Sequence, residues 1–322
     1  MANPNLGQTV ASAWEAIVGP DPHDQIFADY WLLNRLKNGK SFKGIDGGRL
    51  IEVPLEYALN GTVSSYTDTE TISTTRADVF DVSQANWKEY AGAVVQSELE
   101  DAINQGGGGK FGLLPAKLKN LSRSFDDTFN ADLYGAGTAN GGKVFTGLAA
   151  LVSATPTTGT VQGINRATYA WFRNQQAAGT QTVAAYDNYR AALRSVYNQC
   201  SNGVAGKHPT FLVSLRDDFE GYEGLLTANE RFTSKADGDG GFANEVIKFK
   251  GAKYAYDADC TDGVCYLLNE EFLKLCYLKG RWKKMMSDVE PANQTVRVFK
   301  SVTIGNLVVT NPRMLGAVTS IT

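Results

Sequence analysis

The clearest alternation of apolar and polar positions runs from Leu50 to Gly61. Ile51, Val53, Leu55, Tyr57 and Leu59 fall on one face; Glu52, Pro54, Glu56 and Asn60 fall on the other. A period of two held this long predicts a half-buried strand. Asn60-Gly61 and the Thr/Ser/Asp/Glu-rich run to Thr75 predict a polar turn region, and Ala77 to Val82 a less regular returning strand. Residues 49–87 therefore read as a long two-stranded arm with a polar tip, only partly backed by its own domain. Pro54 cannot donate to a ladder, which makes its strand an edge, and exposed edges invite another chain. An isolated hairpin is marginal in water. The pattern thus predicts self-assembly, with Ile51, Val53, Leu55, Tyr57, Leu59 and Tyr66 as the arm residues a neighbouring subunit would cover.

Helical spacing appears first at Ile26, Phe27, Tyr30, Leu33 and Leu36, after Pro22 and before Gly39. This fits a short amphipathic helix within an N-terminal arm (residues 1–48), and it fits a core helix as well. Trp87 to Ile103 has mixed spacing and predicts a short helix. The most regular helix follows: Leu114, Leu118, Leu121, Phe125, Phe129 and Leu133 recur every three or four residues, with Pro115 near the start and Gly135 as a stop. At 1.5 Å per residue this is a rod of about 30 Å, a structural spine carrying no site. Packing residues on it are Leu118, Leu121, Phe125, Phe129 and Leu133.

A Gly/Thr/Ala-rich stretch places a domain boundary between Gly135 and Val144. Beyond it, helices are predicted around Tyr186–Tyr197 and Asp217–Leu225. Strands are predicted at Thr210–Leu215, Phe249–Tyr256 and Cys265–Leu268. The last fifth reads as strand, Thr295–Lys300 and then Val302–Thr310, broken by Gly305-Asn306. The fold class is α+β.

Composition narrows the function. The chain has 322 residues, 43% hydrophobic and 20% charged, with a net charge of −3. That is a globular composition with no basic field to grip nucleic acid or seek an anionic membrane. The N-terminus lacks the basic and apolar regions of a signal peptide, and no apolar run is long enough for a membrane span. Four cysteines, Cys200, Cys260, Cys265 and Cys276, fit a reducing compartment, with a Cys260–Cys265 pairing left open.

Candidate chemistry is sparse. His23 and His208 have no neighbours at metal-ligand spacing, and no Gly-x-Ser-x-Gly elbow occurs. The Gly106–Gly109 run before Lys110 fails as a phosphate loop, because Asn104 and Phe111 stand where glycine and Ser/Thr are required. Cys260 and Cys265 lack a second pair for zinc. Asp237-Gly238-Asp239 lacks the remaining ligands of a calcium loop. Trp171-Phe172-Arg173-Asn174 reads as a packing or interface cluster. The expectation is a non-enzyme without cofactor or metal.

The order of elements, with several phrases, resembles the tailed-bacteriophage major capsid protein of the Hong Kong 97-type fold. The phrases are Phe145-Thr146-Gly147-Leu148, Gly163-Ile164-Asn165-Arg166 leading to Trp171-Phe172-Arg173-Asn174, and Pro209-Thr210-Phe211-Leu212-Val213. Tyr222-Glu223 with Phe232, Phe249-Lys250-Gly251-Ala252, and Gly305-Asn306-Leu307-Val308-Val309 with Asn311-Pro312-Arg313 complete the set. The resemblance covers nearly the whole chain. It implies an N-terminal arm (1–48), an extended loop (49–87) lying across a neighbouring subunit, and a peripheral domain (88–144) with the spine helix, completed by strands within 266–322. It also implies a mixed axial domain (145–265), with the loop bearing Asp237 and Asp239 near a symmetry axis.

The implied function is an icosahedral head built from pentamers and hexamers of this chain around double-stranded DNA contacted non-specifically. The implied location is the virion, after synthesis in the bacterial cytoplasm. Scaffolding, portal and decoration proteins are the further partners implied, and no membrane. Some family members weld neighbouring loops through a Lys–Asn isopeptide bond; Asn60 to Thr75 contains no lysine, so no such crosslink is expected. No coiled-coil-like segment precedes the arm, so a separate scaffold or none is expected. The alternatives are an encapsulin-like shell enclosing cargo protein, a soluble enzyme, and a tail or surface-binding module, the last of which would be mostly strand.

Overall fold

The computed structural model describes residues 30–104, 113–181, 186–203, 206–225, 247–291 and 293–321. In chain order the elements are α1 (Trp31–Asn38), β1 (Phe42–Ile45), β2 (Ile51–Glu56), β3 (Phe80–Ala85), β4 (Lys88–Ser97), α2 (Glu98–Asn104) and α3 (Leu113–Tyr134). A short α4 (Leu148–Leu151) is followed by β5 (Thr160–Val161), β6 (Ile164–Asn165), β7 (Gln175–Gln181), α5 (Tyr186–Gln199), β8 (Phe211–Ser214) and α6 (Arg216–Leu225). The remainder is strand: β9 (Ile247–Phe249), β10 (Ala252–Tyr256), β11 (Val264–Leu268), β12 (Leu273–Leu278), β13 (Lys284–Met285), β14 (Val296–Val309) and β15 (Gly316–Ile321). The chain forms two compact units, and α3, β4 and β14 each supply residues to both.

The larger unit comprises Tyr30–Glu89, Phe129–Trp282 and the chain from Ile304 onward. Its centre is a mixed six-stranded sheet in the order β7-β15-β11-β8-β10-β9. The apolar stripe of α5 (Tyr189, Leu193, Val196, Tyr197) and that of α6 (Phe219, Tyr222) share a core with Leu212, Tyr254, Leu267 and Val318 of the sheet. The C-terminal strand β15 pairs with β7 and β11. Gly316 explains part of the fit: a Cβ there would lie 2.3 Å from Val196 Cγ1 and 2.8 Å from Cys200 Sγ, so only glycine lets α5 approach the strand this closely.

A second patch of core in this unit joins Ile51 and Ala85 of the hairpin to Cys276 of β12 and Val308 of β14. β1 runs parallel to β12, which pairs antiparallel with Gly305–Val309 of β14. Gly305-Asn306 does not break the strand. A Cβ on Gly305 would sit 2.7 Å from Cys276 O, so the glycine serves close strand approach, and Asn306 donates to Asn86 O (2.8 Å) and accepts the Thr146 N–H (2.8 Å). Helix α1 is a core element: Leu32, Leu33 and Leu36 are fully buried. The predicted start of its pattern, with His23, Ile26 and Phe27, lies outside the described residues.

The smaller unit, in its described part, comprises Tyr90–Thr128 and Lys283–Thr303. β13 and β4 both pair with β14. Trp87 to Ile103 departs from expectation: it is mostly the strand β4, with helix confined to Glu98–Asn104. The reason is steric. Gly92 lies under α3, where a Cβ would come within 2.8 Å of Leu121 and 3.0 Å of Phe125, so the strand with its small residues packs flat against the helix. Lys283 fastens the same helix by an ion pair to Asp126 (2.8 Å) and a hydrogen bond to Ser122 O (2.8 Å).

Candidate functional site

The hairpin β2–β3 is antiparallel, with Ile51 opposite Ala85, Val53 opposite Ser83 and Leu55 opposite Asp81. This inner face is the alternating one recognised in the sequence, and its own chain covers it. Ile51 and Leu55 are buried and Val53 packs beside them, which corrects their assignment as residues awaiting a neighbour. The physical reason is a backing sheet contributed from more than 200 residues further along the chain, which strand periodicity cannot register.

The other face is the open one. There Pro54 pairs with Val82 and Glu56 with Phe80, and Phe80 is 68% exposed. The ladder ends after Tyr57 N–H donates to Val79 O (3.0 Å), two residues short of the predicted Leu59. Tyr57 leaves the pleat to stack on Trp171 (5.2 Å between ring centroids) and to donate its hydroxyl to Asp78 O (2.8 Å). Burial, then the Asp78 and Asp81 carboxylates, push this phenol above its ordinary pKa.

From residue 58 to 79 the chain has no regular structure and is held by local bonds. Asn60 Oδ1 accepts from the Thr62 N–H (3.1 Å) and hydroxyl (2.9 Å), and Thr67 and Glu70 bond reciprocally. Tyr66 donates to Thr62 O (3.1 Å) and accepts the Ser73 N–H (3.2 Å), closing the tip on itself. Hydrogen bonds from Ser64 and then Ser73 draw the Tyr66 phenol below its usual pKa. Apolar side chains stand in solvent around it: Leu59 is 90% exposed, Val63 84% and Ile72 65%. Between Ile51 and Ala85, six carboxylates (Glu52, Glu56, Asp68, Glu70, Asp78, Asp81) face one arginine, Arg76. The arm is an acidic surface studded with apolar residues.

Of the six arm residues named from sequence, Leu59 and Tyr66 lie on this open surface, Tyr57 is half-buried against Trp171, and Ile51, Val53 and Leu55 belong to the core side. Phe80, Val82, Val63 and Ile72 were missed. The signal for the first two was present: Phe80 and Val82 alternate on the returning strand, opposite Glu56 and Pro54. On α3, Phe125, Phe129 and Leu133 are buried and Leu118 and Leu121 half-buried. Asp237 and Asp239 lie outside the described residues, as does the Gly106–Gly109 run.

The spine helix also carries a buried polar centre. Asn130 on α3 is fully buried; its amide donates to Asp257 Oδ1 (2.9 Å) and Asp259 Oδ2 (2.7 Å), and its carbonyl accepts the Leu33 N–H (3.3 Å). Asp257 also accepts the Leu32 N–H (3.3 Å), so these two side chains cap α1, whose own N-cap residue Tyr30 makes no side-chain cap. Burial raises the Asp257 pKa, opposed by the backbone N–H groups of Asp259 and Leu32.

Arg166, from the Gly-Ile-Asn-Arg phrase, is 1% exposed and donates to the carbonyls of Ala150 and Leu151. Burial lowers its pKa to about 10. The four cysteines are all buried and unpaired, which resolves the open Cys260–Cys265 question, and burial pushes Cys265 up to about 12. His208 stacks on Tyr197. Trp171 and Phe172 pack against each other as the sequence suggested.

No family model and no curated protein matches the sequence. Solved structures do match, over nearly full length. The capsid asymmetric unit of cyanophage A-1(L) superposes with a TM-score of 0.66 at 17% identity, covering 95% of this chain and 97% of that one. The fold is that of phage capsid proteins. The capsid of Myoviridae phage XM1 matches at TM-score 0.57 and 12% identity, covering 99% of both chains. The SrpI encapsulin of Synechococcus elongatus PCC 7942 matches at 0.60 and 10%, covering 97% and 95%. Among the described residues no helix is long and apolar enough to cross a membrane.

Proposed function

We propose that this chain is the major capsid protein of a tailed bacteriophage, which self-assembles into the closed icosahedral shell of the head. The observation that carries the reading is the end-to-end match to capsid proteins, combined with an arm whose outer face and tip expose Phe80, Leu59, Val63 and Ile72 to solvent. A free monomer gains nothing from such exposure, whereas a repeated contact buries it in every copy. In this reading residues 49–87 are the extended loop resting on a neighbouring subunit. Helix α3 is the spine of the peripheral domain, and the six-stranded sheet with α5 and α6 is the core of the axial domain. The head would enclose double-stranded DNA held without sequence preference, with scaffold, portal and decoration proteins as companions.

The encapsulin match supports a second reading, a shell enclosing protein cargo. Electron microscopy of the chain expressed alone, with sedimentation, tests the proposal. Closed shells or capsomer-sized rings are expected, and nucleic acid as the content of native particles separates the phage reading from the encapsulin one. A chain that stays monomeric with its native companions present would overturn both.

A further inference from the structure

Helix α6 begins with a conflict between packing and charge. Phe219 and Tyr222 turn inward to meet Tyr254 of β10, with ring centroids 5.1 and 5.3 Å apart. Asp218 is four residues before Tyr222 and lies on the same buried side, 7% exposed. Its Oδ2 has no hydrogen-bond partner among the described residues. No cation faces it. The groups that do are Asp217 on the same helix, Asp262 in the turn before β11, Cys260, Cys265 on β11 and Tyr254 on β10. Tyr254 is already engaged by Tyr189 and Ser214, each at 2.7 Å.

Two forces act on the carboxylate. The helix N-terminus favours its charge, but that effect is weak and falls off within a turn. Burial with Oδ2 unpartnered, beside two further carboxylates, opposes the charge more strongly. We propose that the Asp217–Asp218–Asp262 cluster is a proton-operated latch, in which protonation of Asp218 seats α6 on the sheet and deprotonation loosens it. The neutral acid removes both the desolvation cost and the repulsion, and acquires an O–H able to donate.

Burial first, then Asp262 and Asp217, push the Asp218 pKa up to about 7 from 3.8. A carboxylic acid raised in this way contributes its stability fully below the unfolded pKa and loses it as pH rises through the folded one. In the folded chain Asp218 therefore titrates over about pH 5.5 to 8.5, and the linked stability grows from there as pH falls toward the unfolded pKa. The latch concerns the single chain and does not depend on the shell reading.

The test is urea denaturation of the unassembled chain at several pH values in that window, for the natural protein, Asp218→Asn and Asp262→Asn. In the natural protein the folding constant should rise as pH falls from 8.5, approaching about tenfold per pH unit below pH 7. Asp218→Asn should lose that component and be more stable than the natural chain at pH 8. Asp262→Asn, an exposed substitution, should shift the transition to lower pH. Hydrogen exchange corrected for intrinsic rate should show Arg216–Leu225 better protected at pH 6 than at pH 8 in the natural chain. Parallel pH profiles for the natural chain and Asp218→Asn would overturn the latch. So would an unmoved transition in Asp262→Asn, which also decides the matter if Asp218→Asn fails to fold.

Discussion

Asn130 stands within the most regular helix of the chain, where a polar side chain usually turns to water. Here it is buried and holds three segments together: α3 itself, the loop of Asp257 and Asp259, and the first turn of α1. Asn130→Ala leaves a buried carboxylate and a helix N–H short of partners, an expected loss of about 2–4 kcal/mol. The exposed Asn120→Ala on the same helix should stay within about 0.5 kcal/mol, and equal effects in urea denaturation would refute the role. Gly147 is a second such position. A Cβ there would lie 2.3, 2.4 and 2.7 Å from the carbonyl oxygens of Gly135, Asp132 and Leu133, at the end of α3. Gly147→Ala should cost more than about 3 kcal/mol or prevent soluble expression, whereas Gly61→Ala, with nothing within 4 Å, should be silent. The helix was legible from its spacing. The roles of Asn130 and Gly147 were not, because Asn130's partner is 127 residues away and Gly147 packs against backbone atoms common to all residues.

The hairpin separates two kinds of apolar residue that look alike in sequence. Ile51→Ala removes a core contact with Cys276 and Val308 and should destabilise the folded chain by about 2–4 kcal/mol. Phe80→Ser with Val82→Ser touches only the open face, so folding should change by less than about 1 kcal/mol while sedimentation shows shell formation lost. Shells that form normally in the double variant would remove this face from the interface. The alternation of β2 was read correctly, but its end was placed too far along, since Tyr57 finds Trp171 and leaves the pleat. β4 was misread because its small residues carry little hydrophobic signal; what selects the strand is the α3 surface above Gly92.

The charge of the chain is small in sum and strongly segregated along its length. The arm is acidic, while Lys274 to Lys300 holds seven basic residues and two acidic ones, Asp288 and Glu290. Opposite fields of this kind guide association between copies and are screened within about 10 Å at 0.1 M salt. Light scattering should therefore show assembly slowing several-fold between about 0.05 and 0.5 M salt. Reversing Glu52 and Glu56 to lysine should slow it at low salt alone. Assembly that accelerates with salt would mean that apolar contact dominates and the charge pattern serves solubility.

The α+β class, the long helix, the core strands β8 and β11, the helices α5 and α6, and the existence of the arm follow from local periodicity, because period and turn chemistry are properties of neighbours in sequence. Which face of the arm is free, where β15 inserts, why Gly305 continues a strand, and how Asn130 and Asp218 come to be buried were settled only by tertiary packing. Each depends on atoms brought together from distant segments. A pattern of hydrophobicity records that a side chain seeks cover, but the identity of the cover is a property of the assembled sheet.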